Sequence, residues 1–416
     1  MKIYAASYLL PISSPPIAGG AIAVENGLIT AVGTLAELRA TISAPVTELP
    51  GCAIIPGLVN AHTHLELTHF PAWKVRKELD YLPKTYVEWI QQVVKIKRSL
   101  QPEDLVHSLR EGVRMCLESG TTAVGDILSD FSLLPQYENS PLSGRLFLEA
   151  IGHDPMQCDS MVAKMEAHLL RMQGALLPGI SPHTPHTVSA QLFKALQALS
   201  LRLGIPKAVH LSETAEEAAF MHDTTGAIAE VLYPSAHWEQ YLPHPMHATS
   251  TSFLDDLGVL DRSTLVIHAV HVTPADVAIL KSRGVTVVLC PRSNDRLFVG
   301  RAPHHLLKSA GIPLALGTDS LASNDSLSLW DEIGFLQDAE PDAFSAEELL
   351  RMATQGGARA LGIETRAGTL ETGKRGDFLV LSGCAAGSGK SPYKALLEKG
   401  RLERVYLAGE SHPGPW

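Results

Sequence analysis

Short apolar runs recur along the middle of the chain, and each is followed by a segment with helical spacing. Eight runs are present: "AIIPGLVNAH" (53–62), "TTAVGDIL" (121–128), "RLFLEAIG" (145–152), "ALLPGISPH" (175–183), "IPKAVHLSE" (205–213), "TLVIHAV" (264–270), "GVTVVLCP" (284–291) and "IPLALGTDS" (312–320). The intervening segments, such as "SAQLFKALQALSLRLG", place apolar residues at helical intervals and end at Gly. Eight strand–helix units predict a (β/α)8 barrel, the TIM-type fold of the α/β class. An open doubly wound sheet is the alternative, but no Gly-rich phosphate loop follows the first strand.

Both ends of the chain are rich in short β-type runs. Near the start, "AIAVENGLITAVG" has two apolar runs around "ENG", which is typical of a hairpin. Near the end, "GDFLVLSG" and "RVYLAGE" are similar short runs. We predict a small composite β-sandwich domain from residues 1–54 and 366–416, flanking a catalytic barrel of residues 55–365. The mixed segment 222–252 follows the fifth strand and is interpreted as an active-site loop.

Composition and charge exclude several classes of partner. The formal net charge of −10 argues against nucleic acid or an anionic membrane as the main partner. No run is apolar enough to span a bilayer, and the first residues lack a signal-peptide core. The odd number of cysteines and the absence of a CxxC pair predict reduced thiols in a cytoplasmic protein. The cysteines are Cys52, Cys116, Cys158, Cys290 and Cys384.

Polar side chains collect where the predicted strands end, which is where barrel enzymes carry their chemistry. They are His62 and His64 on strand 1, His183 on strand 4, His210 and Glu213 on strand 5, His268 on strand 6, Arg292 and Asn294 on strand 7, and Asp319 on strand 8. A lone HxH carries little weight in a chain with 18 histidines. The joint pattern predicts one divalent cation held by His62, His64, His210 and Asp319, because residues two apart on a strand share a side. Nitrogen and carboxylate donors suit zinc first and ferrous iron second.

At several motifs the chain resembles the amidohydrolase superfamily. The matching stretches are "HTH" (62–64), "HLSE" (210–213), "HAVH" (268–271) and "GTDS" (317–320), with "IIPGLVNAHTH" and "GTLETGKRGDFLVL" on the flanks. The resemblance covers nearly the whole chain and implies a (β/α)8 barrel with a composite β-sandwich. Strand 4, "ALLPGISPH", has no lysine to bridge two metals, so the chain resembles the single-metal branch of the superfamily.

The resemblance also implies roles for three residues of the predicted site. In that branch the glutamate of "HLSE", here Glu213, shuttles protons. The strand-6 histidine, here His268, aids the attack on the substrate, and the strand-8 aspartate, here Asp319, activates the water. The expected reaction is hydrolytic deamination, in which Glu213 protonates a ring nitrogen beside the carbon that loses ammonia.

Three further motifs resemble deaminases of adenine nucleosides. In "SPHTPHT" (181–187), His183 matches the histidine on the purine and ribose side. In "TYVEWI" (85–90), Glu88 matches a glutamate that binds the ribose hydroxyls, although an amphipathic helix alone would also explain it. "CPRSN" (290–294) is similar to the aminodeoxyfutalosine deaminases, which convert 6-amino-6-deoxyfutalosine to futalosine in menaquinone synthesis. Arg292 is then the candidate for the substrate carboxylate.

Other functions remain open at this point. S-adenosylhomocysteine, methylthioadenosine or adenosine could be the nucleoside, and guanine deamination or triazine dechlorination would use the same metal. A barrel without catalytic activity is a third class, but it would not need Glu213 and His268. The roles of Glu149 and His186 are open. The resemblance is compatible with a homodimer, although the sequence does not indicate an interface.

Overall fold

The computed structural model describes residues 1–383 and 391–412. Its strands are β1 (Lys2–Leu9), β2 (Ile17–Ala18), β3 (Gly20–Glu25), β4 (Leu28–Thr34), β5 (Val46–Pro56), β6 (Leu58–Thr63), β7 (Thr121–Leu128), β8 (Ser143–Ala150), β9 (Leu176–Pro182), β10 (Lys207–Leu211), β11 (Thr264–His268), β12 (Thr286–Leu289), β13 (Leu314–Leu316), β14 (Phe378–Ser382), β15 (Arg401–Leu407) and β16 (Glu410–His412). They form two separate sheets.

The helices lie mostly between the barrel strands. They are α1 (Leu35–Thr41), α2 (Phe70–Arg76), α3 (Tyr86–Lys97), α4 (Pro102–Glu118), α5 (Leu134–Tyr137), α6 (Pro155–Leu169), α7 (Ala190–Leu203), α8 (Ala215–Asp223), α9 (Tyr233–Ser235), α10 (Ser250–Asp256), α11 (Pro274–Arg283), α12 (Pro291–Arg296), α13 (His304–Ala310), α14 (Leu329–Ala339), α15 (Ala346–Arg351), α16 (Gly357–Ala360) and α17 (Pro392–Lys399). Among the described helices, none has the length and apolar character needed to cross a bilayer.

The second sheet is the predicted parallel barrel. Its strands follow chain order from β6 to β13, and each neighbouring pair is parallel. The barrel closes where the first and last strands meet, through a parallel bridge between Thr63 and Asp319. The amides of Thr318 and Asp319 both donate to the carbonyl of His62, at 3.1 Å each. Closure therefore brings together His62 and Asp319, two predicted metal ligands that are far apart in the chain.

The first sheet is built from both ends of the chain, as the sequence predicts. β14 pairs with β5, and β15 and β16 extend the sheet beyond it. The aromatic rings of Tyr4, Phe378 and Tyr406 pack on one face, with Phe378 and Tyr406 stacked at 4.3 Å between centroids. The predicted first run, 53–62, is divided at Gly57: β5 belongs to this sheet and β6 to the barrel.

Helix α7 shows why the intervening segments are helical. The Ser189 hydroxyl accepts a hydrogen bond from the Leu192 amide at the start, and Gly204 ends the helix in the left-handed conformation. Between them, Phe193 and Leu196 are fully buried. The capping residues and the apolar face agree with the helix that the sequence pattern predicts.

The four described cysteines are free thiols. Cys116, Cys158 and Cys290 are buried, Cys52 is partly buried, and none of these four is in a disulfide. The predicted reduced thiol Cys384 lies outside the described residues.

Candidate metal and active site

Four predicted donor side chains converge at the carboxyl end of the barrel. His62 lies in β6 and His64 directly follows it, while His210 lies in β10 and Asp319 follows β13. The Nε2 atoms of His62 and His64 lie 3.4 and 3.5 Å from Oδ1 of Asp319. His210 completes the group, because one nitrogen of each of the three histidines lies within 4.8 Å of the others.

The spacing and the missing hydrogen bonds both fit a metal ion. Donors about 2.1 Å from a tetrahedral ion lie about 3.4 Å apart, which matches the two measured separations. Both ring nitrogens of His62 are buried without a hydrogen-bond partner among the described residues. Buried polar atoms normally have a hydrogen-bond partner, so two buried ring nitrogens without one are unusual. Burial also holds the pKa values of His64 and His210 well below the ordinary range. Neutral imidazoles are the form that binds a cation.

Neighbouring groups fix the orientation of two of these donors. The Asp319 Oδ2 atom accepts hydrogen bonds from the hydroxyls of Ser293 and Ser323, each at 2.7 Å. This leaves Oδ1 to face the histidines. The His210 Nδ1 atom lies 3.1 Å from the carbonyl of His183, and this contact directs Nε2 away from it. Such contacts orient metal ligands and raise affinity.

The backbone is strained at three residues that lie at or just after the ends of the barrel strands. Ser212, His268 and Asp319 all have positive φ angles, of 51°, 73° and 59°. Non-glycine residues adopt this region rarely, and such strain concentrates at functional sites. Close packing adds a constraint at Gly317, where a Cβ atom would lie 2.8 Å from His62 Cβ and 2.9 Å from its carbonyl oxygen.

Glu213 and His268 lie beside the metal cluster. Glu213 Oε1 is 3.6 Å from His268 Nε2, and both side chains are almost fully buried. Burial, together with the charges of Asp319 and Glu217, raises the pKa of Glu213 well above its ordinary value. Burial lowers the pKa of His268 to about 4, so its ring is neutral. The His268 Nδ1 atom lies 2.9 Å from Asn294 Oδ1 and donates to it, which leaves Nε2 as an acceptor towards Glu213.

A cavity of about 650 Å³ opens beside these residues. Its walls are largely aromatic and aliphatic, which suits a flat heterocycle. The lining apolar residues are Leu67, Tyr86, Trp89, Ile90, Val93, Val94, Ile151, Leu232, Ala236 and Trp238. Residues 232–238 belong to the long segment after β10, so the segment predicted as an active-site loop forms part of the wall.

Four polar side chains, from different parts of the barrel, form a second group in the cavity wall. Lys97 Nζ lies 2.6 Å from Glu66 Oε1 and 2.5 Å from the Ser129 hydroxyl. The Ser129 hydroxyl also donates to Glu66 Oε1 at 2.6 Å. Glu149 lines the same cavity, and burial raises its pKa to about 7. This side of the cavity therefore carries an internal ion pair and one further carboxyl group.

His183, the predicted substrate contact, lines the cavity, and His186 lines it as well. The His183 Nδ1 atom bonds to the Thr187 hydroxyl at 2.7 Å, and burial lowers the pKa of this ring to about 4. His186 is buried, and its Nε2 atom has no partner among the described residues. Both rings are therefore neutral side chains with a nitrogen available to a ligand.

Glu88 does not lie in the cavity, contrary to the sequence-based prediction. Its side chain is exposed at the start of α3 and accepts a hydrogen bond from the Lys84 amide at 2.7 Å. The Thr85 hydroxyl in turn accepts from the Glu88 amide at 3.2 Å. Thr85 thus caps the helix, and Glu88 binds the amide of the residue before the cap. Its neighbour Trp89 lines the cavity instead.

Arg292 is also outside the cavity. It lies in the short helix α12, where its guanidinium pairs with Asp325 and donates to Asn324 Oδ1 at 3.3 Å. Arg296 pairs with the same aspartate, at 2.7 Å. Helix α12 turns both arginines away from the metal cluster, so neither can receive a ligand carboxylate there.

Sequence reasoning missed Lys97, Glu66 and the aromatic wall. The helical interval between Trp89, Val93 and Lys97 would have placed them on one face of α3. Glu66 could also have been suggested from the sequence, because it lies only two residues after the predicted ligand His64. No sequence pattern indicates that Trp238 lines the cavity, because it lies in an irregular segment whose path the sequence does not specify.

Comparisons with known proteins identify one family. The model of the amidohydrolase family matches residues 53–411. An aminodeoxyfutalosine deaminase of Deinococcus radiodurans is 32% identical over 356 residues, covering 83% of this chain and 82% of that protein. A 5-methylthioadenosine/S-adenosylhomocysteine deaminase of Desulforudis audaxviator is 32% identical over 388 residues, covering 90% of this chain and 83% of that protein.

Solved structures support the same fold. An adenosine deaminase from Xanthomonas campestris with bound zinc is 27% identical, with a TM-score of 0.81, covering 99% of this chain and 92% of that one. The aminofutalosine deaminase of Helicobacter pylori, bound to methylthio-coformycin, is 21% identical with a TM-score of 0.87. That alignment covers 99% of this chain and 100% of the other, and it shows the shared fold alone.

Proposed function

The chain belongs to the amidohydrolase family, and we propose that it is a metal-dependent deaminase of adenine nucleosides. One observation carries the proposal: the cluster of three histidines and one aspartate adjoins a buried Glu213–His268 pair in a single cavity. Holding an ion needs only the cluster. The adjoining acid and imidazole supply the proton transfers that hydrolytic loss of ammonia requires.

His62, His64, His210 and Asp319 would hold one divalent ion, with zinc the favoured metal. Zinc suits nitrogen and carboxylate donors at this spacing, and the Xanthomonas relative binds it. When bound, the metal acts as a Lewis acid that lowers the pKa of a coordinated water. The Asp319 Oδ1 atom is the basic group next to that position. With a divalent ion held beside it, this carboxylate would stay ionised, because an adjacent cation favours the charged form.

Glu213 has the protonation state that the reaction needs. Burial raises the pKa of its carboxyl group and so favours the protonated form, which can donate to the ring nitrogen beside the amino-bearing carbon. Water adds to that carbon and gives one proton to Asp319, and Glu213 relays this proton to the amino group. The C–N bond then breaks, ammonia leaves, and the remaining hydroxyl proton returns to Glu213 as the carbonyl forms. His268 Nε2 is an acceptor 3.6 Å from Glu213 and orients the attacking oxygen by accepting its hydrogen bond.

The cavity is large enough to enclose a nucleoside. Its volume of about 650 Å³ lies well inside the range of about 300–1,000 Å³ for sites that enclose drug-sized ligands. The Deinococcus relative supports 6-amino-6-deoxyfutalosine as the substrate, with a place in menaquinone synthesis. The Desulforudis relative, with equal identity, supports a second candidate: a thioether nucleoside such as methylthioadenosine or S-adenosylhomocysteine.

The benzoate group of aminodeoxyfutalosine needs a cation, and the structure favours a different one from Arg292. Arg98 and Lys95 line the cavity and are exposed at its mouth. Lys97 is nearer the metal cluster but is already paired with Glu66. We therefore assign the carboxylate of the substrate to Arg98 and Lys95, at the end of α3.

The test is a substrate panel with the purified, zinc-loaded protein. Ammonia release and the change in adenine absorbance would be measured with 6-amino-6-deoxyfutalosine, adenosine, methylthioadenosine, S-adenosylhomocysteine and guanine. We expect the highest kcat/KM with 6-amino-6-deoxyfutalosine, and a KM raised at least about tenfold for that substrate alone in Arg98→Ala. A preference for a thioether nucleoside would support the second candidate. Turnover of guanine alone, or of nothing, would refute nucleoside deamination.

A further inference from the structure

Two exposed histidines and an aspartate lie together where the segment predicted as an active-site loop begins and ends. His222 and Asp223 are the last residues of α8, and His247 lies near the other end of that segment. One nitrogen of each histidine and one carboxylate oxygen of Asp223 lie within 4.8 Å of one another. None of the three side chains lines the cavity, so this group is separate from the buried metal cluster.

The spacing of these three donors suits a small divalent ion. The Asp223 Oδ1 atom lies 2.8 Å from His222 Nδ1 and 4.0 Å from His247 Nδ1. Donors about 2.1 Å from a tetrahedral ion lie about 3.4 Å apart, which is between these two separations. All three side chains are more than half exposed, so small rotations can equalise the distances. Two imidazoles and a carboxylate are donors that zinc, nickel and copper accept, and water would complete the coordination.

The backbone holds His222 and His247 side by side. The His247 amide donates to the carbonyl of His222 at 2.9 Å, and the centroids of the two rings lie 5.2 Å apart. His247 has a φ angle of 48°, in the left-handed region that few non-glycine residues adopt. An ion pair between His222 and Asp223 would need neither feature. The return of the chain therefore brings a second imidazole to a carboxylate that already has one.

The same group closes a loop that forms part of the cavity wall. The chain leaves α8 at His222 and returns to it at His247, and Leu232 and Trp238 within this loop line the cavity. Joining the ends of a long loop removes conformational freedom from the residues between them. A metal ion bound by both ends would therefore restrain the part of the chain that encloses this side of the cavity.

We propose that His222, Asp223 and His247 form a second divalent-metal site that ties together the ends of this loop. The site has three protein donors, one fewer than the buried cluster, and these donors are open to water. It should therefore bind zinc more weakly than the cluster and fill only after it. Because the group lies outside the cavity, the site does not depend on which reaction the cavity supports.

The test adds zinc to purified protein from which loosely bound metal has been removed by dialysis. Binding of further zinc would be measured by calorimetry at about pH 7.5, where histidine is ordinarily neutral and able to bind a metal. Three variants each remove one donor: His222→Gln, Asp223→Asn and His247→Asn. His244→Gln is the matched control, because His244 is an exposed histidine of the same loop outside the group. Thermal unfolding and the zinc retained after dialysis would verify that each variant is folded and that its buried cluster is unchanged.

We expect wild type and His244→Gln to bind one further zinc ion per chain, and each of the three donor variants to bind it at least about tenfold more weakly. Even a group that only orients a metal ligand contributes about 10- to 100-fold to affinity. Binding of this ion should also slow hydrogen exchange of the amides of residues 224–246 in wild type.

Three results would overturn the site: no further ion in wild type, equal affinity in all five proteins, or a loss in His244→Gln as large as in the donor variants. A bound ion that leaves hydrogen exchange of residues 224–246 unchanged would overturn its role in restraining the loop.

Discussion

Removing the serine hydroxyls that bond to Asp319 would show how the metal cluster is held in position. Ser293 and Ser323 each donate to Asp319 Oδ2 at 2.7 Å, and all three side chains are buried. Ser293→Ala and Ser323→Ala should each weaken zinc binding about 10- to 100-fold, as is usual when a group that orients a metal ligand is lost.

The magnitude can be worked from the two contacts. A hydrogen bond to a charged group contributes about 1.5–3 kcal/mol, and a tenfold change in affinity corresponds to about 1.4 kcal/mol. One lost contact therefore accounts for about one to two powers of ten. Because Ser293 and Ser323 share one oxygen, the second deletion should cost a different amount from the first, and the double variant should not be additive.

The assay is competition for zinc against a chelator of known affinity, with kcat measured separately at saturating zinc. Ser326→Ala is the control, because Ser326 is a partly exposed serine of the same segment whose hydroxyl bonds to Asp331 and not to Asp319. It should bind zinc as wild type does. Wild-type zinc affinity in both Ser293→Ala and Ser323→Ala would refute the reasoning, since Asp319 would then be oriented without them.

Three other perturbations have outcomes that follow from the packing and charge of the site. Gly317→Ala should lose zinc and thermal stability together, measured by metal analysis and melting, because the added Cβ would meet His62 at 2.8 Å. Glu213→Gln should lower kcat about 100- to 10,000-fold with zinc content unchanged, since it removes the proton donor and keeps the shape. Burial raises the pKa of Glu332 to about 8, so between about pH 4.5 and 8 the folded state binds a proton that the unfolded state has lost. Its contribution to the unfolding free energy should fall by about 1.4 kcal/mol per pH unit across that window, and urea unfolding of Glu332→Gln at pH 5 and 7.5 should show a correspondingly flatter dependence.

The four predicted metal ligands could be grouped from the sequence because the barrel fixes where strand ends meet. His62, His210 and Asp319 are distant in the chain, but parallel strands in a closed barrel bring their carboxyl ends to one face. Once the eight strands are recognised, no further information is needed to group these residues. The amidohydrolase resemblance then added the roles of Glu213 and His268, which their burial and spacing are compatible with.

The substrate-binding residues were harder to predict because they depend on how helices turn after each strand. Glu88 is an example in which the sequence held a competing signal: "TYVE" is a Thr-x-x-Glu sequence at a helix start, typical of capping. Arg292 follows β12 as expected, but α12 begins at once and directs its guanidinium towards Asp325. Glu149 was visible only as a charged residue inside a strand pattern, and its place in the cavity wall required the packed structure.

The central claim is that one metal ion, held by His62, His64, His210 and Asp319, supports deamination of an adenine nucleoside. Its most direct test is to titrate metal-free protein with zinc while measuring both bound zinc and ammonia release from the best nucleoside substrate. The account predicts that activity rises linearly and levels off at one zinc per chain, and that His210→Ala removes both binding and activity. Full activity in the metal-free protein, or a plateau only at two zinc ions per chain, would contradict it.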